Sequence, residues 1–268
     1  MVRLSHAMKI LDCESTESAY DSLEQIFAVG RDKLESIFEE IDIDAIYKTS
    51  PTLLGAGHEV LFSVVTKRLS KRVFAYDQTC WFHLTRTTGP NRFEAGILPT
   101  GEAMGFLWEF LYGLLEGAIS EADWEKFKID ILASSDWYAK AYQLRVTDPS
   151  LSGPYAMLVK DIAFNAQALG NHDYFLVPEI VQNICTWFRK NHEIDLLDAF
   201  CKKTMPCIVK FIDDGTKPKY LWAALYYLYS LHRGDKLTWC CNTTFGGMGR
   251  LVPKERILKV EFPEYRPP

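Results

Sequence analysis

Apolar residues recur at helical spacing through the first part of the chain. Leu23, Ile26, Phe27, Leu34, Ile37 and Phe38 predict helix over 13–50, with Ser15 or Ser18 available as a cap. Pro51 starts a new segment. Val60, Leu61, Val64, Val65 and Leu69 then predict a short amphipathic helix from Gly57 to Ser70, with Lys67 and Arg68 in its last turn, where they suit the helix dipole. The texture changes after residue 71. Arg72-Val73-Phe74-Ala75-Tyr76 and Thr79 to Arg86 are rich in β-branched and aromatic residues and predict strands, the second one buried. Thr87-Thr88-Gly89-Pro90-Asn91 is turn chemistry.

Beyond the turn the pattern alternates. Phe106, Leu107, Phe110, Leu111, Leu114 and Leu115 mark a helix opening at Thr100 or Gly101. Trp124, Phe127, Ile131, Trp137 and Tyr138 predict one further helix over 121–145. Candidate strands follow at 155–159, 174–181 and 207–212, with Pro178 marking an edge or an entry in the second. Helices are expected over 182–203 and 218–232, then a glycine-rich loop at 245–249 and a closing strand at 257–262. Several short strands with helices between them predict an α+β fold. No internal repeat or low-complexity linker is present. The expected organisation is a helical lead-in over 1–70 and one compact unit over 71–268.

Composition changes this picture little. The 268 residues are 48% hydrophobic and 24% charged, enough apolar material for a sizeable core. A formal net charge of −5 lacks the broad basic field that drives non-specific nucleic-acid binding. The basic run from Lys67 to Arg72 reads as a solvated helix end and turn. Seven cysteines without a C-x-x-C pair, mostly among apolar neighbours, suit free buried thiols in a reducing compartment and argue against zinc. No apolar run reaches signal-peptide length at the N-terminus or membrane-spanning length elsewhere, so a cytoplasmic protein without membrane contact is expected.

The stretch richest in chemical possibility is Trp81-Phe82-His83-Leu84-Thr85, followed by Glu94-Ala95-Gly96-Ile97. Two apart on a strand, His83 and Thr85 share a face. The pattern resembles the nucleotide-binding strand of the diphtheria-toxin and poly-ADP-ribose-polymerase branch of ADP-ribosyltransferases, in which an aromatic-His-x-Thr/Ser strand precedes a short helix ending in Gly-Ile or Gly-Leu. Gly153-Pro154-Tyr155 resembles that family's Gly-x-Tyr strand entry, and Phe175 to Val181 supplies Glu179 in a setting like the family's catalytic-glutamate strand. Pro253 to Glu261 resembles its closing strand.

The resemblance implies a small split sheet of ADP-ribosyltransferase type with substantial helical insertions. It implies NAD as substrate, held by His83, Thr85, Gly96 and Tyr155. His83 would bind the adenine-side ribose, Tyr155 would lie against nicotinamide, and Glu179 would act at the reacting ribose. Glu261 is the reserve acid, and Tyr112 or Tyr174 the reserve aromatic platform, because no tyrosine falls well on the helix where the family carries one. A stand-alone enzyme of this type resembles bacterial toxin or phage-defence effectors. Such a protein would modify a macromolecular acceptor, protein or nucleic acid, and would need an inhibitory partner or a trigger.

Each of these residues also has a structural reading. His83 can be a core histidine satisfied by a carbonyl, and Tyr155 can be core packing. Glu179 after Pro178 can open a helix through Ile180, Val181, Ile184 and Trp187. Gly246-Gly247-Met248-Gly249 lacks the lysine of a P-loop and reads as a turn, and His172-Asp173 as loop polarity. The alternatives to a transferase are therefore an NAD glycohydrolase, a non-catalytic ligand-binding module, and a protein-interaction module built on the aromatic helices.

Overall fold

The structure is a computed structural model that describes residues 8–50, 55–70 and 74–264. Pro51 and the first two residues of the candidate strand at Arg72 lie outside the described residues. The fold is mixed helix and sheet, as the pattern predicts. A six-stranded sheet is built from β1 (Ile10–Leu11), β2 (Gln78–Thr87), β3 (Tyr155–Met157), β4 (Met205–Asp213), β5 (Thr244–Gly246) and β6 (Ile257–Glu261). Its order is β5-β3-β2-β4-β6, with β1 paired in parallel to β2. β3 runs antiparallel to β2, with Phe82 opposite Met157.

Two compact units emerge, each woven from three stretches of chain. The first comprises Met1–Phe82, Met157–Asn171 and Phe211–Thr244; the second comprises His83–Ala156, His172–Lys210 and Phe245–Pro268. These cuts fall inside β2, β3, β4 and β5, so they follow space and not the chain position near residue 70.

The first unit holds α1 (Thr16–Phe27), α2 (Arg31–Glu39), α3 (Ile43–Thr49) and α4 (Gly57–Arg68), all before β2. The expected helix over 13–50 is thus three helices. Ala28 turns left-handed at the end of α1, and Asp42 caps α3 by accepting from the Ala45 amide. α4 packs on the long helix at Pro218–Arg233, whose proline at the first position and left-handed Gly234 beyond the end are the usual start and stop signals. Two buried hydroxyls on that helix are satisfied: Tyr227 donates to Asp161 at 2.6 Å and Tyr229 to the Ile41 carbonyl at 3.0 Å.

The second unit holds α5 (Thr100–Gly113), α6 (Glu121–Ala133), α7 (Trp137–Thr147), α8 (Glu179–His192) and α9 (Leu196–Lys203), which leaves α10 for Pro218–Arg233. Three expectations need correction here. The helix over 182–203 is divided between α8 and α9, because Glu193 turns left-handed and Asp195 caps a new helix by accepting from the Asp198 amide. The helix over 121–145 breaks after Ala133, because Ser134 accepts from the Asp136 amide and Asp136 caps a new helix at Tyr138. The candidate strand at 174–181 is instead a turn followed by α8; Asp173 accepts from the Phe175 and Leu176 amides, and Pro178 precedes a helix that begins at Glu179. In the first unit, Phe74 to Tyr76 are likewise not strand.

The core of the second unit is aromatic. Trp124 stacks on Phe127 at 5.3 Å, Trp108 meets both edge-on, and Phe127 lies 4.7 Å from Trp187 and 5.0 Å from Phe188. Such contacts add to the area that each ring buries. α7 and α8 are antiparallel, as their end pairs require: Asp136 before α7 meets Lys190 in the last turn of α8, and Arg145 in the last turn of α7 meets Glu179 at the start of α8. Phe127→Ala is expected to cost about 3–5 kcal/mol, while exposed Phe106→Ser stays within about 0.5 kcal/mol. Urea unfolding of both variants checks this.

Candidate functional site

β2 is buried on both faces over 79–82; Thr79, Trp81 and Phe82 are solvent-free. Strand alternation places Trp81, His83 and Thr85 on one face, and Phe82, Leu84 and Arg86 on the other. A polar side chain buried in such a strand needs a partner, and several find one. Within the second unit, the Arg86 guanidinium donates to the carbonyls of Phe175, Cys201 and Thr204, and to the Thr204 hydroxyl at 2.9 Å. It ties the end of α9 to the turn before α8.

His83 Nδ1 lies 2.7 Å from the carbonyl oxygen of Tyr155. A carbonyl can only accept, so Nδ1 carries the proton, and the neutral ring leaves Nε2 as an acceptor. Burial holds the imidazole below its ordinary pKa, opposed in part by the Tyr155 contact. Thr85 is half-buried beside it and makes no side-chain hydrogen bond among the described residues.

Tyr155 opens β3. Its ring lies under the Arg145 guanidinium, 5.3 Å from carbon to ring centre. Arg145 Nη2 in turn donates to Glu179 Oε2 at 2.5 Å, and Tyr174 donates its hydroxyl to that same oxygen at 3.3 Å. Burial first, then the Glu179 charge, pushes the Tyr174 hydroxyl up to about 12, and burial raises the Tyr155 hydroxyl. The sequence therefore names three members of one linked group: His83, Tyr155 and Glu179. Arg145 completes it and was not among the sequence candidates. Its only sequence signal is a cation in a last helical turn before Asp148-Pro149, which the helix dipole already explains.

Glu179 stands on a helix and not on a strand, contrary to the strand setting expected for it. Proline has no amide hydrogen to lose, and a carboxylate in the first turn faces the positive end of the helix, so α8 is the favoured state of Pro178-Glu179. The reserve candidates are elsewhere. Tyr112 stacks on Trp124 at 5.8 Å in the aromatic core, and Glu261 on β6 pairs with Lys259 at 2.8 Å. Tyr174, by contrast, is in the group.

Gly96 has a backbone explanation. Its φ is +79°, and a Cβ there would lie 2.3 Å from the Val252 carbonyl oxygen. Ile97 and Val252 exchange two backbone hydrogen bonds across that approach. The glycine-rich loop is also engaged by backbone: Gly247 donates to the Pro154 carbonyl and Gly249 to that of Gly153, both at 2.9 Å. Six of the seven cysteines are buried. No group of metal-ligating side chains exists among the described residues, and no described helix is long and apolar enough to cross a membrane.

Comparison of the chain with protein-family models, curated proteins and solved structures finds no match. The site therefore has to be read from its own chemistry.

Two outcomes follow. Below pH about 6.5 the unfolded chain protonates its histidines while folded His83 resists, so stability is complete above that pH and falls as pH drops through it. Thermal melts at pH 7.5 and 5.5 should show a smaller loss for His83→Gln than for wild type, by at most about 1.4 kcal/mol per pH unit. His58, also lowered by burial, maintains part of the slope in the variant. Gly96→Ala should cost at least about 1–2 kcal/mol from the left-handed backbone alone, in the same melts.

Proposed function

We propose that this protein is an NAD-directed enzyme of ADP-ribosyltransferase type, with Glu179, His83 and Tyr155 as its working residues. The observation that carries this reading is the linked group itself. Three residues from separate parts of the chain, nominated by motif, are connected through the Tyr155 carbonyl and through Arg145.

The chemistry suits these groups. When the bond between nicotinamide nitrogen and ribose C1′ breaks, its electrons leave with nicotinamide and positive charge develops on the ribose. A carboxylate beside that carbon, hydrogen-bonded to a ribose hydroxyl, stabilises the charge. An acceptor oxygen or nitrogen then bonds to C1′ and gives up its proton; water in that place makes the reaction a glycohydrolase. Neutral His83, with its tautomer set by Tyr155, keeps Nε2 to accept from a ribose hydroxyl. The Tyr155 ring provides a flat surface for nicotinamide. Gly96 in this reading shapes backbone, and Thr85 supports the His83 face. The macromolecular acceptor, the inhibitory partner and the cytoplasmic toxin or defence setting belong to the same proposal.

A second reading has its own observation. Glu179 is already neutralised by Arg145 and sits at a helix start, which suits a binding module that holds a ligand without chemistry.

Nicotinamide release from NAD by purified protein separates the two. Wild type is expected to release it, with His83→Ala and Glu179→Gln each reduced about 10²–10³-fold. Loss in His83→Ala alone would move the catalytic carboxylate to Glu261. NAD binding without release in wild type would favour the binding module, and neither binding nor release would remove NAD from the account.

A further inference from the structure

Arg145 has more donors than its surroundings use. One Nη2 bond goes to Glu179, and the cation rests on Tyr155; its Nε and Nη1 have no hydrogen-bond partner among the described residues. The side chain is 23% exposed, so these donors are open to solvent and to an incoming ligand. The same guanidinium covers two surfaces that a ligand would need, the Glu179 carboxylate and the Tyr155 ring. Whatever binds Glu179 and Tyr155 must first move Arg145, and a displaced guanidinium needs another anion. A planar fork with free donors is matched to a phosphate.

We infer that Arg145 is the specificity-determining residue of this site. In the free protein it closes Glu179 and Tyr155; on binding, its guanidinium passes from Glu179 to a phosphate of the incoming dinucleotide. This rests on the NAD reading above. The phosphate is what opens the site, because it replaces the ion pair that the ligand's ribose breaks. A nucleoside without phosphate would leave Arg145 without an anionic partner and is disfavoured. The arrangement also guards the Glu179 carboxylate from small cations and amines when no dinucleotide is present.

Calorimetric binding of NAD, ADP-ribose and nicotinamide riboside to the full chain tests this, with wild type, Arg145→Ala, Arg145→Lys and His83→Ala. Wild type is expected to prefer NAD over the riboside by about ten- to a hundredfold, the usual range for a charge-assisted contact. In Arg145→Ala the riboside should bind more tightly than to wild type and NAD more weakly, bringing the two together. Arg145→Lys, which keeps the charge and loses the fork, should fall between. The double variant Arg145→Ala/Glu179→Gln leaves no unpaired carboxylate and serves in place of Arg145→Ala if the latter melts early.

An unchanged NAD preference in a folded Arg145→Ala would overturn the inference while His83-dependent NAD binding kept the NAD reading. Equal weakening of both ligands would assign Arg145 a purely structural part, as the pin between α7 and α8. No binding of NAD or ADP-ribose by wild type would remove both the inference and the reading beneath it.

Discussion

The constraint on which the rest depends is the burial of β2 on both faces. A strand in that position offers its polar side chains little water, and an unpaired buried donor costs about 1–3 kcal/mol. β2 nevertheless carries Thr79, His83 and Arg86. Thr79 donates to the Gly215 carbonyl at 2.7 Å, His83 to that of Tyr155, and Arg86 to three more. Each link goes to the backbone of a segment remote in sequence. The strand therefore fixes loops and strand entries through its polar residues as well as through its apolar ones. Tyr155 is held because His83 needs an acceptor, and the turn before Glu179 is held because Arg86 does.

Glu179 is then delivered by a second device, the antiparallel pair α7 and α8. Both helices place charges at the ends their dipoles favour: Arg145 and Lys190 in last turns, Glu179 in a first turn, Asp136 as a cap. Antiparallel packing brings each of these ends opposite its complement. Partly exposed ion pairs of this kind contribute modestly to stability. Their larger consequence is positional, since Arg145 is aligned with Tyr155 and Glu179 together. Both helices pack on the aromatic core of Trp108, Trp124, Phe127 and Phe188.

Much of the secondary structure was legible in the chain, for physical reasons that are local. The β-branched and aromatic run through β2, the apolar stripe of α5, and the proline and glycine that bound α10 all act within a few residues. Breaks were less legible. Ser134 and Asp136 divide an apolar pattern that is continuous to the eye, because α6 and α7 turn their stripes to the same core. The two-residue β1 carries no pattern at all and exists because β2 offers it a neighbour.

The sequence by itself determined an α+β chain with a dry central strand, the placement of His83 and Thr85 on one face, and the suitability of Pro178-Glu179 to open a helix. Those follow from steric preference, strand alternation and helix-end electrostatics, which need no partner. Tertiary structure alone decided that Glu179 is linked to Tyr155, that Gly96 answers to the Val252 carbonyl, and that Arg145 joins the group. Arg145 and Glu179 are 34 residues apart, and Arg86 and Thr204 are 118 apart. No local preference encodes such a meeting; it arises because buried charges and donors have few acceptable partners, and packing chooses among them.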